Sequence, residues 1–305
     1  MKPRLLVIAG PTASGKSALA LDLAETLNGE IICVDSLTVY RGFEIGSAKP
    51  TPEQRQRVPH HLLDICEPTD PFTASDFRGA AASAIQEITG RGKRPILAGG
   101  TGLYLRSLLR GLNKAPGEDP VLRELLQTRM EREGGEALLA ELATVDPDTA
   151  QRLHPNNRNR IIRALEVFQT TGITLSQFQA EHGFSDSPYN SLQFCLDLPR
   201  PELYQRIDDR VDAMLTAGLV AEVQGLLQSG VPSDCKPLQA IGYKEVVAHL
   251  QGEHDQTEMT RLIKRNTRHF AKRQLTWFRA EPEMQWVAYP ENSATIHSAA
   301  ATFFA

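Results

Sequence analysis

The stretch LVIAGPTASGKSALALDLAE, residues 6–25, joins an apolar run, a glycine-bracketed turn and a helix-forming segment without a break. The octet Gly10, Pro11, Thr12, Ala13, Ser14, Gly15, Lys16, Ser17 fits G-x-x-x-x-G-K-[ST], and its place between a strand and a helix is the context that pattern needs. Glycine at both ends lets the backbone bend until successive N–H groups face inward as a nest, and the helix beginning near Lys16 adds the positive end of its dipole. Lys16 supplies a point charge and the Ser17 hydroxyl a ligand for magnesium. The octet reads as a cradle for a di- or triphosphate, and on these residues alone its reaction stays open.

Outward from the loop, short apolar runs alternate with helical patterns. Strands are expected over residues 4–9, 30–34 and 94–98, with helices to about 27 and over about 75–89. That alternation predicts an α/β protein, a phosphate-loop parallel sheet flanked by helices, with ligands at the carboxyl ends of the strands. From about 113 to 182 the pattern is helical throughout, and SLQFCLDL at 191–198 returns to a strand. We expect a core of residues 1–112 and 191–305, interrupted by a helical insertion at 113–190. A long helix over about 256–280 is stopped by Pro282.

The composition, 41% hydrophobic and 23% charged over 305 residues, is that of a globular chain large enough for one big domain and a smaller one. No run approaches a membrane span and no signal core follows Met1, so a cytoplasmic protein with no membrane partner is expected. Cys33, Cys66, Cys195 and Cys235 lie far apart without a C-x-x-C pair, which points to reduced thiols rather than zinc or disulfides. His60 and His61 point to opposite sides if they lie on a strand and have no third ligand nearby, so a structural role is expected of them.

Two further segments carry chemistry. In EIICVDSLTVYRGFEIGSAKP, Asp35 directly follows a strand and so stands at the ligand edge of the sheet, where a carboxylate serves as magnesium ligand, general base or simple turn cap. In ILAGGTGLYL, a strand ends in paired glycines, so the backbone can approach a ligand and Thr101 can donate to it. A kinase would show substrate-phosphate arginines and a lid, and a GTPase a guanine-selective motif; neither pattern is clear.

The motifs GPTASGKS, DSLTVYRGFEIGSAKP, HHLLDI, GGTGLYL, HPNNRNRIIRALEVF, QAIGYKE and KRQLTWFR together resemble the tRNA dimethylallyltransferase (tRNA isopentenyltransferase) family, in the family's order and over residues 6–279. The resemblance implies transfer of a dimethylallyl group from dimethylallyl diphosphate to the exocyclic amine of the adenosine 3′ of the anticodon. The loop would then hold a leaving diphosphate, with Lys16 and Thr101 stabilising its growing charge, Mg2+ on Ser17 and Asp35 as the base. It also implies a flipped adenine and a partner, the tRNA anticodon stem-loop, contacted by Asp35, Ser36, Leu37, Thr38, Thr101 and Arg123. Further RNA contacts are implied at Asn159, Arg160, Ile161, Ile162 and Arg163, at Gln239, Ala240, Ile241, Gly242, Tyr243 and Lys244, and at Lys272, Arg273, Gln274 and Arg279. Arg163 is a candidate for the diphosphate as well. Thr38 stands where many members carry Gln, and a hydroxyl is too short for the paired hydrogen bonds of an amide. A monomer is expected.

The segment 261–279 supports an RNA partner independently, because it holds seven basic and no acidic residues in a chain of net charge −4. At helical spacing Arg261, Arg265, Arg268, Lys272 and Arg279 fall on one face and Ile263, Phe270 and Trp277 on the other. A small-molecule kinase, a transferase acting on free AMP and a non-catalytic RNA-binding module are the rival readings. The kinase and the AMP enzyme leave the basic helix unexplained, and the RNA-binding module has no use for Asp35 beside a complete phosphate loop.

Overall fold

The structure, a computed structural model, describes residues 2–112, 115–182 and 187–305. The expected start of the insertion at Asn113 lies outside the described residues. Two compact units are present, residues 1–109 with 188–305, and residues 110–187.

The larger unit is built on a parallel sheet of β1 (Arg4–Ala9), β2 (Gly29–Val34), β3 (His60–His61), β4 (Arg94–Gly99), β5 (Asn190–Asp197) and β6 (Gln285–Ala288), in the order β3-β2-β4-β1-β5-β6. Leu5 to Ala9 are all fully buried. Leu5, Val7 and Ala9 join one apolar layer with Phe77, Ile85, Ile88 and Leu108, while Leu6 and Ile8 join the other with Leu19, Leu23, Phe194 and Ile296. A strand covered by helices on both faces has no polar side to alternate with, which is why the run at the start of the chain is continuously apolar. Each such side chain contributes about 1.5–3 kcal/mol by leaving water.

The register fixes the site. Gly99 at the end of β4 pairs with Ala9 at the end of β1 on one side and Val34 at the end of β2 on the other. The three strand ends therefore level off side by side, and the loops that follow them, 10–17, 35–38 and 100–101, emerge together. A Cβ on Gly99 would lie 2.1 Å from the Val34 carbonyl oxygen, so this close approach needs glycine.

β6 and the helix Ser293–Phe304 extend the sequence reading, which left the chain after Pro282 without elements. β6 has four residues, none of them buried, and nothing in QWVA separates it from a loop. The helix packs Ile296 and Ala300 against the layer that holds Leu19 and Leu23.

The smaller unit has its own core, in which Leu126, Met130, Leu138 and Leu142 of the helix Pro120–Val145 meet Ile161, Ile162 and Leu165 of the helix Arg158–Thr171. The first helix is capped by Asp119 and kinked at Gly134, whose φ of 83° is left-handed. Among the described residues no helix is long and apolar enough to cross a membrane.

Candidate active site

The phosphate loop leaves β1 and enters the helix Lys16–Leu27 at Gly15, where φ is 89°. Ala13 is also left-handed, at φ 63°, a conformation that a non-glycine residue holds only when its surroundings impose it. A Cβ on Gly15 would lie 2.7 Å from the Tyr289 ring, which sits against the loop just after β6. The N–H groups opening the helix have no intrahelical acceptor. Lys16 folds back over the loop, its Nζ donating to the Pro11 carbonyl at 3.0 Å, and Ser17 is exposed in the first turn.

Asp35 follows β2, and its Oδ1 accepts from the Leu37 N–H at 2.8 Å. Burial raises its pKa above the ordinary carboxylate value, against the pull of the Leu37 and Thr38 N–H groups, Lys16 and Arg210. Burial likewise lowers Lys16 to about 8, helped by the Arg210 charge and opposed by Asp35. Thr101 donates its N–H to the Val34 carbonyl at 3.3 Å, which ties the third loop to the end of β2. Thr38 is buried, and its hydroxyl has no hydrogen-bond partner among the described residues.

Arg210 was not among the residues singled out in the sequence. It lies on the helix Arg200–Thr216, next to the buried Val211 and one turn from Ile207, and burial lowers its pKa while Asp35 opposes the shift. An arginine interrupting the apolar stripe Leu203, Ile207, Val211 is the signal that would have found it.

Several of the residues expected at the RNA are packed into the protein. Gln274 is buried and faces inward: its Oε1 accepts from the Thr12 N–H at 2.8 Å, and its Nε2 donates to the Gly100 carbonyl at 3.0 Å. Tyr243 is fully buried, with its hydroxyl donating to Glu222 at 2.8 Å and accepting from the Ser47 N–H at 3.1 Å. Glu222 also takes the N–H groups of Glu44, Ile45 and Gly46, so the pair holds the segment after Asp35 in place. Farther along that segment the buried Lys49 ammonium joins the Tyr40 carbonyl, Glu44 and Asp64. Gly242 is buried as well, its N–H donating to Glu245. Ala240 and Ile241 are partly exposed, and Gln239 and Lys244 are exposed.

In the smaller unit Ile161 and Ile162 are core residues and present no side chain to a partner. Arg163 donates to the Pro116 and Gly117 carbonyls and to Glu166 at 2.8 Å, so it braces the insertion instead of standing free for a diphosphate. Arg123 pairs with Glu118 and approaches the same Glu166 at 3.6 Å. Asn159 and Arg160 are exposed, as are Ser36, Lys272, Arg273 and Arg279 in the larger unit, while Leu37 is half-buried.

The helix Gln256–Arg279 presents less free charge than its sequence suggests. Arg268 pairs with Asp208 and Lys264 with Asp212, both on the helix Arg200–Thr216. Phe270, expected on the packed face, is 36% exposed, because Met259, Ile263, Ala271, Gln274 and Phe278 form the buried stripe.

Among the described residues no group of three or more His, Cys, Asp or Glu converges as a metal site. His61 instead meets Glu30, and His60 the Val58 carbonyl. A magnesium ion would fit here through the exposed Ser17 hydroxyl, phosphate oxygens and water, the sparse protein ligation that Mg2+ accepts.

The IPP transferase family model matches residues 38–281. The chain is 85% identical, over the full length of both, to tRNA dimethylallyltransferase 1 of Trichlorobacter lovleyi. It is 53% identical to tRNA dimethylallyltransferase 2 of Geotalea uraniireducens over 100% of this chain and 98% of the relative. Among solved structures, the tRNA isopentenylpyrophosphate transferase of Bacillus halodurans superposes with a TM-score of 0.73 at 40% identity, covering 99% of this chain and 97% of that one. A eukaryotic dimethylallyltransferase acting on tRNA gives 0.81 at 29% identity, over 98% of this chain and 77% of that one.

Proposed function

The chain belongs to the IPP transferase family and is a prenyltransferase that modifies tRNA with a dimethylallyl group, and we propose that it does so with Asp35 as general base opposite a loop that holds the leaving diphosphate. The observation that carries this reading is the juxtaposition of Asp35, whose burial makes it a stronger base than an exposed carboxylate, with Lys16 and Arg210. Two cations around one carboxylate leave a positive surplus, which suits a diphosphate better than it suits a neutral ligand.

The donor is dimethylallyl diphosphate. Its allylic C–O bond breaks with the electron pair passing to the diphosphate oxygen, while the N6 amine of the adenosine 3′ of the anticodon forms the new C–N bond. Lys16, Arg210 and the loop N–H groups stabilise the charge that gathers on the diphosphate. The amine is a weak nucleophile because its lone pair is delocalised into the purine, and Asp35 removes its proton as the bond forms. The unpartnered Thr38 hydroxyl, two positions beyond Ser36 on the same loop, offers the extruded base a hydrogen bond. Magnesium held at Ser17 would add positive charge on the phosphate oxygens.

Mass spectrometry of an unmodified anticodon stem-loop, incubated with the protein, magnesium and dimethylallyl diphosphate, tests this. One added dimethylallyl group is expected, with ATP inactive as donor. Asp35→Asn should reduce turnover about 10²- to 10⁴-fold and leave stem-loop binding intact; turnover within a few-fold of the parent would sink the base assignment.

A further inference from the structure

The sequence pattern of the phosphate loop does not say whether two phosphates or three are held, and Gln274 bears on that choice. Its amide spans two loops: Oε1 takes the Thr12 N–H at 2.8 Å and Nε2 reaches the Gly100 carbonyl at 3.0 Å. The junction is tight, since a Cβ on Gly100 would come within 2.2 Å of Nε2 and 3.2 Å of the Gly10 carbonyl oxygen. Gln274 itself is buried, so both bonds are shielded from water.

In loops of this pattern the lysine reaches the second and third phosphates while the backbone N–H groups nearer the helix hold the first and second. Here the Lys16 ammonium rests on the Pro11 carbonyl at 3.0 Å, which marks the Pro11–Thr12 end as the side where a third phosphate would lie. At that end the Thr12 N–H is already taken by Gln274. The Ser14 N–H is turned back to the Pro11 carbonyl at 3.3 Å. A third phosphate would meet a filled donor and the amide oxygen of Gln274, a partial negative charge.

We propose that Gln274 is a positioning and specificity-determining residue that closes the third-phosphate end of the loop and so fits it to a diphosphate. This rests on the reading that the loop holds the donor's diphosphate. The same amide sets the spacing between the phosphate loop and the strand end bearing Thr101.

Calorimetric titration of the full-length protein with pyrophosphate and with tripolyphosphate, at constant free magnesium, tests the proposal. The parent protein is expected to bind pyrophosphate more tightly, against the trend of charge alone. Gln274→Met, of similar volume but without the amide, should narrow that preference about tenfold by freeing the Thr12 N–H. Gln274→Glu keeps the acceptor for Thr12 and places a full negative charge at that end, so it should weaken tripolyphosphate more than pyrophosphate and widen the preference. Gln274→Asn, one methylene too short to reach Thr12, should behave like the Met variant and serves where the latter does not fold. A ratio in the folded Met or Asn variant equal to that of the parent overturns the proposal, as does a parent protein that binds tripolyphosphate as tightly as pyrophosphate. A parent that binds no pyrophosphate overturns the donor-site reading and the proposal with it.

Discussion

Burial acts on Asp35 and Lys16 with opposite sign, because it disfavours the charged form of each: the carboxylate titrates higher and the ammonium lower, at about 8. The base must be ionised and the lysine protonated for the proposed reaction. We therefore expect a bell-shaped profile of kcat/KM against pH, with an acid limb above the ordinary aspartate range and an alkaline limb near pH 8, the latter displaced upward in Lys16→Arg. The raised carboxylate carries a second consequence. A group that binds its proton more tightly in the folded state destabilises that state wherever it is ionised, so Asp35→Asn should raise the melting temperature at pH 7. The gain should fade as the pH falls through the raised folded value and be gone below the unfolded aspartate value of about 3.9. Equal melting temperatures for parent and variant at pH 7 would contradict the direction of the shift. Asp35 and the loop octet were legible because their meaning lies within a few consecutive residues. Arg210 and Gln274 were not, because each acquires its role only when its helix docks. Gln274 looked RNA-facing beside Lys272 and Arg273, yet it stands three residues after the buried Ala271 and four before the buried Phe278, on the packed stripe.

At the level of elements, β1, β2 and β4 were readable because each is a short apolar run bounded by turns, whereas the two-residue β3 and the helix Pro52–Arg57 offer too short a pattern to read. β6 carries no such pattern and has meaning only as an edge added to β5. The helix Gln256–Arg279 divides its cations between two tasks. Arg268 and Lys264 join it to the acidic side of the helix Arg200–Thr216, whereas Lys272 and Arg273 are exposed. Replacing Lys272 or Arg273 by Ala should weaken stem-loop binding and reduce the slope of log K against log salt by about 0.7–1 per residue. Arg268→Ala should instead lower stability and leave that slope near the parent value. Filter binding over a series of salt concentrations separates the two, and a slope that responds equally to all three substitutions would refute the division. Composition alone showed a basic segment; its neutralised part became visible only with Asp208 and Asp212 beside it.

For the molecule as a whole, the two units rest on separate cores, so damage to one need not spread to the other. Glu166 is the test. Its buried carboxylate receives Arg163, Arg123 and the Asp119 N–H at 2.8 Å, and its removal leaves two guanidinium groups and a helix-cap segment without their shared acceptor. Glu166→Ala should cost the smaller unit about 3–5 kcal/mol. Hydrogen exchange should quicken across residues 120–171 while the amides of β1 stay protected; loss of protection in β1 to the same degree would show that the units unfold as one. The place of β5 in the sheet has a consequence for how the chain is made. β1 is the fourth of six strands in spatial order, yet the neighbour on its outer side, β5, is separated from β4 by the entire smaller unit. A ribosome therefore releases β1, β2 and β4 with one edge of β1 still bare. The helices of the insertion, whose contacts are local, emerge before anything covers that edge. The nascent chain must carry an open strand, apolar from Leu5 to Ala9, through the synthesis of about ninety further residues at about 5–20 residues per second, an interval in which a chaperone or a misplaced strand competes for the position β5 will take.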